Sequence, residues 1–242
     1  GIDFSAGNFI HVEAVEITTG TLAASLADLA AIPGLVFDGG DISVADTGAN
    51  LTGQDFEAGV LAATSSIDLV SGTFQVDLAE LAGLPPLTVQ DSAQVLAFTD
   101  AAGATGQNYT SGNLGAVTAL ELTSGTFAGS LGDVTGLPPV TLSGDAALTV
   151  IDAGEVIAIA VFDQADNLGL VSTVDVSAGL LNMTLAEILA LPALSVSGSG
   201  VVHVTDDLAL IEAQEAGAGL DEGNLAVVSE FIGGIGTWVG TV

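Results

Sequence analysis

The sequence predicts an all-β, elongated architecture built from repeats, either solenoid-like or a row of tandem β-sandwiches, with short capped helices along it. The first observation is a repeat of about 53 residues. Self-similarity at a fixed period is typical of proteins built from stacked structural units. Two independent markers recur with the same spacings of 52, 53 and 54 residues: the glycines Gly20, Gly72, Gly125 and Gly179, and the prolines Pro33, Pro85, Pro138 and Pro192.

The second observation is the alternation of apolar and polar residues around each of these glycines. Such alternation predicts a half-buried β-strand, and the embedded glycine predicts a bulge or a tight corner. The four segments are AVEITTGTL from Ala14, SIDLVSGTF from Ser66, ALELTSGTF from Ala119 and TVDVSAGLL from Thr173.

A capping-box pattern follows each of these strands and predicts a short helix. In a capping box the first side chain accepts a hydrogen bond from the backbone three residues on, and the acid at that position reaches back. The next proline ends the helix, and a second strand then runs to an aspartate. The pairs are Ser25/Asp28, Asp77/Glu80, Ser130/Asp133 and Thr184/Glu187, and the strand-ending aspartates are Asp46, Asp100, Asp152 and Asp206.

These patterns divide the chain into an N-terminal arm or strand (residues 1–11), four copies of the repeat (12–216) and a C-terminal apolar strand segment (217–242). The copies begin near residues 12, 66, 117 and 171 and are called copies one to four below. The C-terminal segment resembles no copy. It either covers the end of its own stack or adds a strand to a neighbouring molecule. The residues that would make such a joint are Phe231, Ile232, Ile235, Trp238 and Val239.

The charge balance excludes several classes of function. The chain has 30 Asp and Glu but no Lys or Arg, which gives a formal net charge of −30. Binding to nucleic acid or to an anionic membrane surface requires Lys or Arg, so neither partner is expected. The absence of cysteine also excludes disulfides and thiolate metal sites. His11 and His203 lie in apolar strand contexts and are predicted to be packed or strand-edge histidines rather than metal ligands.

So many acids predict cation binding, with Ca²⁺ as the candidate cofactor, because aspartates stacked in register at ~4.8 Å would repel one another. The candidate metal ligands are Asp38, Asp41, Asp163, Asp166, Asp206, Asp207, Asp221 and Glu222. The alternative is that the recurring acids are structural or solvated. Three Asn-X-Thr sequons also predict glycosylation, at Asn50, Asn108 and Asn182.

The stretch ISVADTGANL (42–51), together with SLADLAAIPG (25–34), resembles the repeats of bacterial surface and adhesin-like β-repeat proteins. The resemblance implies a role at the cell surface or in an extracellular matrix and supplies no catalytic residues. We therefore expect a non-enzymatic structural subunit of an extracellular filament, surface layer or adhesive stalk, with copies joined head to tail by strand addition. A polysaccharide-binding module or a polysaccharide-acting enzyme of the cell surface is the alternative.

Overall fold

The computed structural model of this 242-residue chain describes residues 11–162 and 166–234, and the backbone of 236–238. Seventeen strands lie in these ranges: β1 Glu16–Ile17, β2 Thr21–Ala24, β3 Val36–Phe37, β4 Asp41–Thr47, β5 Thr64–Asp77, β6 Leu87–Val89, β7 Ala93–Thr99, β8 Ala119–Leu122, β9 Thr126–Gly129, β10 Val140–Leu142, β11 Ala147–Ala153, β12 Val171–Ala178, β13 Leu180–Met183, β14 Ala193–Val196, β15 Val201–Asp206, β16 Glu230–Gly233 and β17 Gly236–Trp238.

Short helices lie between the strands. The α-helices are α1 Leu26–Ala31, α2 Gly48–Leu51, α3 Leu78–Gly83, α4 Ala101–Ala104, α5 Leu131–Gly136, α6 Gly154–Ile157, α7 Leu185–Ala190 and α8 Leu208–Gly217. The described 3₁₀ segments of four or five residues are Gly59–Ala63, Gly112–Ala116, Asn167–Leu170 and Gly223–Val227.

The chain forms two compact units. The first contains Gly1–Thr99 and Gly106–Glu121, and the second contains Asp100–Thr105 and Leu122–Val242. In the first unit the strand order is β8-β7-β5-β4-β2, with β6 also beside β5, and β1 and β3 form a separate pair. The pairs β1–β3, β2–β4, β4–β5, β5–β6 and β5–β7 are all parallel.

The second unit contains two four-stranded sheets with the orders β14-β12-β11-β9 and β13-β15-β16-β17. Their pairs are parallel, except that β17 runs antiparallel to β16.

The predicted all-β class is wrong, because the protein has a mixed α/β fold. Helices account for 30% and strands for 38%, and the helices are interleaved with parallel sheets. Neighbouring parallel strands need a crossover of a dozen or more residues, and here these crossovers fold into helices. The segments 52–65, 104–116 and 155–170 contain the 3₁₀ helices Gly59–Ala63, Gly112–Ala116 and Asn167–Leu170. Tandem sandwiches, which consist of antiparallel sheets, are excluded by the same parallel pairing.

Alternation within the strands builds the core as predicted. In β4 every second residue is buried, and Ile42 and Val44 have no exposed surface. Alternate positions on other strands are equally buried, as at Leu69, Val95 and Val150. Each capped helix has a buried residue four positions after its N-cap: Leu29, Leu81, Val134 and Ile188.

Gly72 shows why a glycine recurs within the strands. It has a φ of 74°, a left-handed conformation that residues with a Cβ rarely adopt. Residues of β5 before Gly72 pair with β4, while Gly72 and the residues after it pair with β7. The glycine therefore redirects the strand from one partner to another.

Candidate functional site

The acids that begin the short helices are engaged in capping. Complete capping boxes form at Ser25/Asp28, Ser130/Asp133 and Thr184/Glu187, which confirms the prediction for these three helices. Hydrogen bonds from the side chain and the backbone of Ser130 lower the pKa of Asp133. Hydrogen bonds from the backbone and side chain of Thr184 likewise lower the pKa of Glu187. These carboxylates therefore stabilise the first turn of the helices in which they lie.

Three acids at the ends of strands accept hydrogen bonds from the first residues of the short helices. We call them the strand-end aspartates: Asp46, Asp152 and Asp206. Their Oδ2 atoms accept from the backbone N–H groups of Leu26, Leu131 and Leu185 at 2.9, 3.0 and 3.0 Å. Their Oδ1 atoms accept from the N–H of the following residue at 2.7 to 2.8 Å. The sequence marks them as strand-ending aspartates, but it does not reveal their bonds to helices that begin some twenty residues earlier.

Asp46 is the most buried of these carboxylates, with 6% of its surface exposed. Burial acting alone would raise its pKa. Hydrogen bonds from the Asn50 side chain and from the N–H groups of Leu26 and Thr47 outweigh that effect, and the pKa of Asp46 is lowered. Asp46 therefore stays ionised and bonded inside the fold.

Copy two departs from this arrangement. Its N-cap is the acid Asp77, which accepts from Ala79 and Glu80 N–H groups, and Glu80 does not complete the predicted box. The position equivalent to the strand-end aspartates is Thr99, while Asp100, one residue later, accepts from Gly103 N–H at 2.7 Å and caps α4. Where the N-cap is acidic, the neighbouring strand end is therefore neutral. This limits the number of carboxylates at one helix start, where like charges repel.

Three asparagines, whose structural role the sequence did not reveal, bind the turn after each short helix in copies two to four. Asn167 donates from Nδ2 to the carbonyls of Val134, Leu137 and Pro138 at 3.1 to 3.2 Å, and accepts at Oδ1 from Val140 N–H at 2.9 Å. Equivalent sets of bonds involve Asn113 and Asn224. We call Asn113, Asn167 and Asn224 the turn asparagines.

The turn asparagines share a sequence signal. Asn113, Asn167 and Asn224 are each followed by leucine within a 3₁₀ helix, and the equivalent residue in copy one is Val60. The same comparison reveals that residues 223–233, within the segment expected to resemble no copy, repeat the 3₁₀ helix and first strand of the earlier copies.

The first strand of each copy carries an acid near its middle, and Asp68 and Asp175 are two of these. Neither lies opposite another acid on a neighbouring strand. Asp68 lies opposite Ala45 and Thr88, and Asp175 lies opposite Ile151 and Ser195. Neutral residues therefore separate these acids across the sheets. The in-register repulsion that motivated the cation prediction does not arise at these positions.

The predicted metal ligands are dispersed. Asp38, Asp166, Asp207, Asp221 and Glu222 are exposed. Asp41 lies at the start of β4, and its Oδ1 atom has no hydrogen-bond partner among the residues that the structure describes. Asp166 accepts from Leu168 N–H at the start of a 3₁₀ helix, Asp206 binds a helix start as above, and Asp163 lies outside the described residues. Within residues 11–162 and 166–234 no three His, Asp or Glu side chains form a group suited to a metal ion. Binding of Ca²⁺ stays a prediction.

The residues predicted to join molecules lie partly inside the chain's own sheet. Phe231 is 3% exposed, and β16 pairs with β15 on one side and with β17 on the other. Ile232 is half-buried, Trp238 is in β17 opposite Phe231, and Ile235 and Val239 lie outside the described residues. Joining through this segment stays a prediction.

The two histidines differ in environment. His11 is exposed. His203 lies on β15 opposite Glu230 of β16, and its Nε2 is 3.5 Å from a Glu230 carboxylate oxygen. An ion pair exists there only when His203 is protonated.

Two surface grooves border the short helices. A groove of about 620 Å³ is lined by Thr135, Leu137, Pro139, Val140, Asp166, Asn167, Gly169 and Leu170. Another, of about 470 Å³, includes Asp55, Glu57 and Glu80 in its lining. Burial raises the pKa of Glu80, and the charges of Asp77, Asp55 and Glu57 raise it further.

Neither a protein-family model nor a curated protein matches this sequence. Among the helices that the structure describes, none is long and apolar enough to cross a membrane.

Proposed function

We propose that this protein is a structural subunit of an extracellular filament, surface layer or adhesive stalk, and that its copies join head to tail through strands at sheet edges. The observation that carries the proposal is the repeated use of the same polar side chains as internal fasteners. The capping acids, the strand-end aspartates and the turn asparagines hold strands, helices and turns together in successive copies. This arrangement supports a scaffold, since a catalytic site would concentrate polar groups in one copy.

Strand β17 is the strand through which we expect one molecule to pair with the next. It is the outer strand in the order β13-β15-β16-β17, so pairing with β16 engages one of its edges. Unpaired strand edges readily bind a further strand. Residues 231–242 carry no acid in a chain of net charge −30, so a second molecule can approach there with less repulsion. Head-to-tail pairing of this kind does not close on itself and gives open filaments.

Truncation after Gly234 tests the proposal. This variant keeps β16 and the buried Phe231 and removes residues 235–242. We expect filaments of the full chain in electron micrographs at high protein concentration with Ca²⁺, and monomers of the truncated chain in sedimentation. Comparable urea midpoints for the two chains would establish that the truncated protein is folded. Filaments from the truncated chain, or a full chain that stays monomeric, would contradict the proposal.

The groove beside Glu80 favours one alternative, a polysaccharide-acting enzyme. A carboxyl group with a raised pKa next to other carboxylates is the usual requirement for general acid catalysis on glycosides. Asp55 is less available for this role, because its Oδ1 accepts from Glu57 N–H at 2.9 Å. Release of reducing sugar from acidic and neutral polysaccharides, lost on Glu80→Gln, would support the enzyme over the scaffold.

A further inference from the structure

We propose that the folded protein presents Asn108 for N-linked glycosylation and that it does not present the sequons at Asn50 and Asn182. The sequon Asn108-Tyr109-Thr110 lies between α4 and the 3₁₀ helix Gly112–Ala116, outside every strand and helix. The side chains of Asn108 and Thr110 are both exposed. This inference does not depend on the proposed function.

The turn at Asn108 brings together the two side chains that define the sequon. Asn108 Oδ1 accepts from Thr110 N–H at 3.0 Å and from the Thr110 hydroxyl at 2.7 Å. This is an Asx-type turn, in which a short side chain takes the place of a backbone acceptor. In the described part of the chain Asn108 Nδ2 donates no hydrogen bond, so the amide nitrogen that must react is accessible.

At Asn50 both sequon side chains are engaged in the fold. Asn50 Nδ2 donates to Asp46 Oδ1 at 2.7 Å, and glycosylation would place a sugar on that nitrogen. The Thr52 hydroxyl donates to the Gly48 carbonyl at 2.9 Å and accepts from Gln75 N–H at 3.0 Å. Both side chains are exposed, as at Asn108, so these hydrogen bonds, which a modifying enzyme would have to break, are what separates this sequon from the one at Asn108.

At Asn182 the obstacle is the regular structure around the sequon. Asn182 lies in β13, where it is paired opposite His203, and its Oδ1 accepts from the Thr205 hydroxyl at 2.8 Å. Thr184 is the N-cap of α7, with its hydroxyl bonded to Glu187. Of the three sequon threonines, all of them in the described part of the chain, only Thr110 donates its hydroxyl to the asparagine of its own sequon.

The reaction requires a lipid-linked pyrophosphoryl oligosaccharide as the sugar donor. A bond forms between Asn108 Nδ2 and the anomeric carbon, and the bond from that carbon to the pyrophosphate oxygen breaks. The pyrophosphate leaves with the electron pair, and one Nδ2 proton passes to a base. No oxidant or reductant is needed.

Copy one contains the same turn without an amide. Asp55 Oδ1 accepts from Glu57 N–H at 2.9 Å, and both side chains are exposed. Asp55-Phe56-Glu57 occupies the place of Asn108-Tyr109-Thr110 in the segments TGQDFEAG and TGQNYTSG. The double substitution Asp55→Asn/Glu57→Thr therefore moves the sequon into a second copy of the same conformation.

The test treats folded protein with the lipid-linked donor and an oligosaccharyltransferase that accepts Asn-X-Thr. A short Asn-Tyr-Thr peptide in the same reaction verifies enzyme activity. Cleavage before aspartate releases the three sequons in separate peptides, residues 46–54, 100–132 and 175–205, for mass spectrometry. We expect one glycan on peptide 100–132 of the parent and none on the Asn108→Gln variant, whose melting temperature should be unchanged. We expect a second glycan on Asp55→Asn/Glu57→Thr. This variant loses the cleavage site at 55, so its peptide 46–67 contains both the new sequon and Asn50, and fragment spectra must locate the glycan at position 55. An unmodified folded chain beside a modified peptide would overturn the proposal, as would a glycan at Asn50 or Asn182. Failure of the double variant to gain a glycan would overturn the role of the turn.

Discussion

Asp152 at the end of β11 accepts a hydrogen bond at 3.0 Å from the backbone N–H of Leu131, the first residue of α5. The start of a helix leaves N–H groups without partners inside the helix, and a carboxylate satisfies one of them. The other oxygen accepts from Ala153 N–H at 2.8 Å. One side chain thus ties the end of a strand to a helix formed 21 positions earlier.

Replacing Asp152 with alanine should therefore destabilise the protein by about 1–3 kcal/mol, because the Leu131 N–H loses its acceptor. Asp145→Ala is the matched control. It removes the same charge from an exposed position and should change the free energy of unfolding by less than about 0.5 kcal/mol. Urea unfolding followed by circular dichroism measures both. Equal midpoints for the two variants would show that the strand–helix hydrogen bond contributes nothing.

Asn167→Asp should cost about 3 kcal/mol, since Asn167 is 7% exposed and a carboxylate would face three carbonyl oxygens without a donor. Asn182→Asp is the matched control. Asn182 is exposed and uses only its oxygen, as an acceptor from Thr205, so an aspartate there keeps the bond. The urea midpoints of the two variants at pH 7 should differ clearly. Similar losses at both positions would point to added charge as the cause.

The difference between capping boxes and turn asparagines shows what the sequence can predict. Ser130 and Asp133 are three residues apart and interact within one helical turn, so their spacing predicts their contact. Asn167 bonds to residues 27 to 33 positions earlier, and only the crossover between parallel strands brings them together. The direction of strand pairing is not encoded in the alternation of Val174 or Val150, because parallel and antiparallel strands share that period.

Copy two shows a second limit. Asp77 and Glu80 match the spacing of a capping box, but the box is incomplete because two carboxylates at one helix start repel. The helix itself forms as predicted. The Asn108 turn, in contrast, could be recognised from its residues, since Asx turns depend on contacts two residues apart.

Glu80 and Glu187 should respond to pH in opposite ways. The pKa of Glu80 is raised, so its contribution to stability is present below the unfolded value of about 4.3 and is lost as pH rises through the folded pKa. Glu80→Gln should therefore stabilise the protein at pH 7, by less than about 1 kcal/mol given solvent screening, and this gain should vanish near pH 3. The measurement is the urea midpoint between pH 3 and 7.

Glu187→Gln provides the opposite case. The pKa of Glu187 is lowered, so its contribution is present above about pH 4.3 and is lost as pH falls through the folded pKa. This variant should be less stable than the parent at pH 7 and equal to it at low pH. Curves of the same sign for the two variants would show that general charge repulsion, rather than the local hydrogen bonds, controls the stability.

Gly154→Ala should destabilise the protein by about 1–3 kcal/mol, the range expected when a methyl group is forced into a packed site. Gly154 begins α6, and a Cβ atom there would overlap the Leu180 carbonyl carbon and the Leu181 nitrogen, both in the backbone of the next strand segment. Backbone atoms cannot rotate away as a side chain would.

Gly136→Ala at the end of α5 is the control, because no atom lies within 4 Å of the added methyl and alanine favours a helix. Thermal unfolding should therefore move in opposite directions for the two variants. An unchanged melting temperature for Gly154→Ala would mean that the close approach of α6 to residues 180 and 181 is not required by the fold.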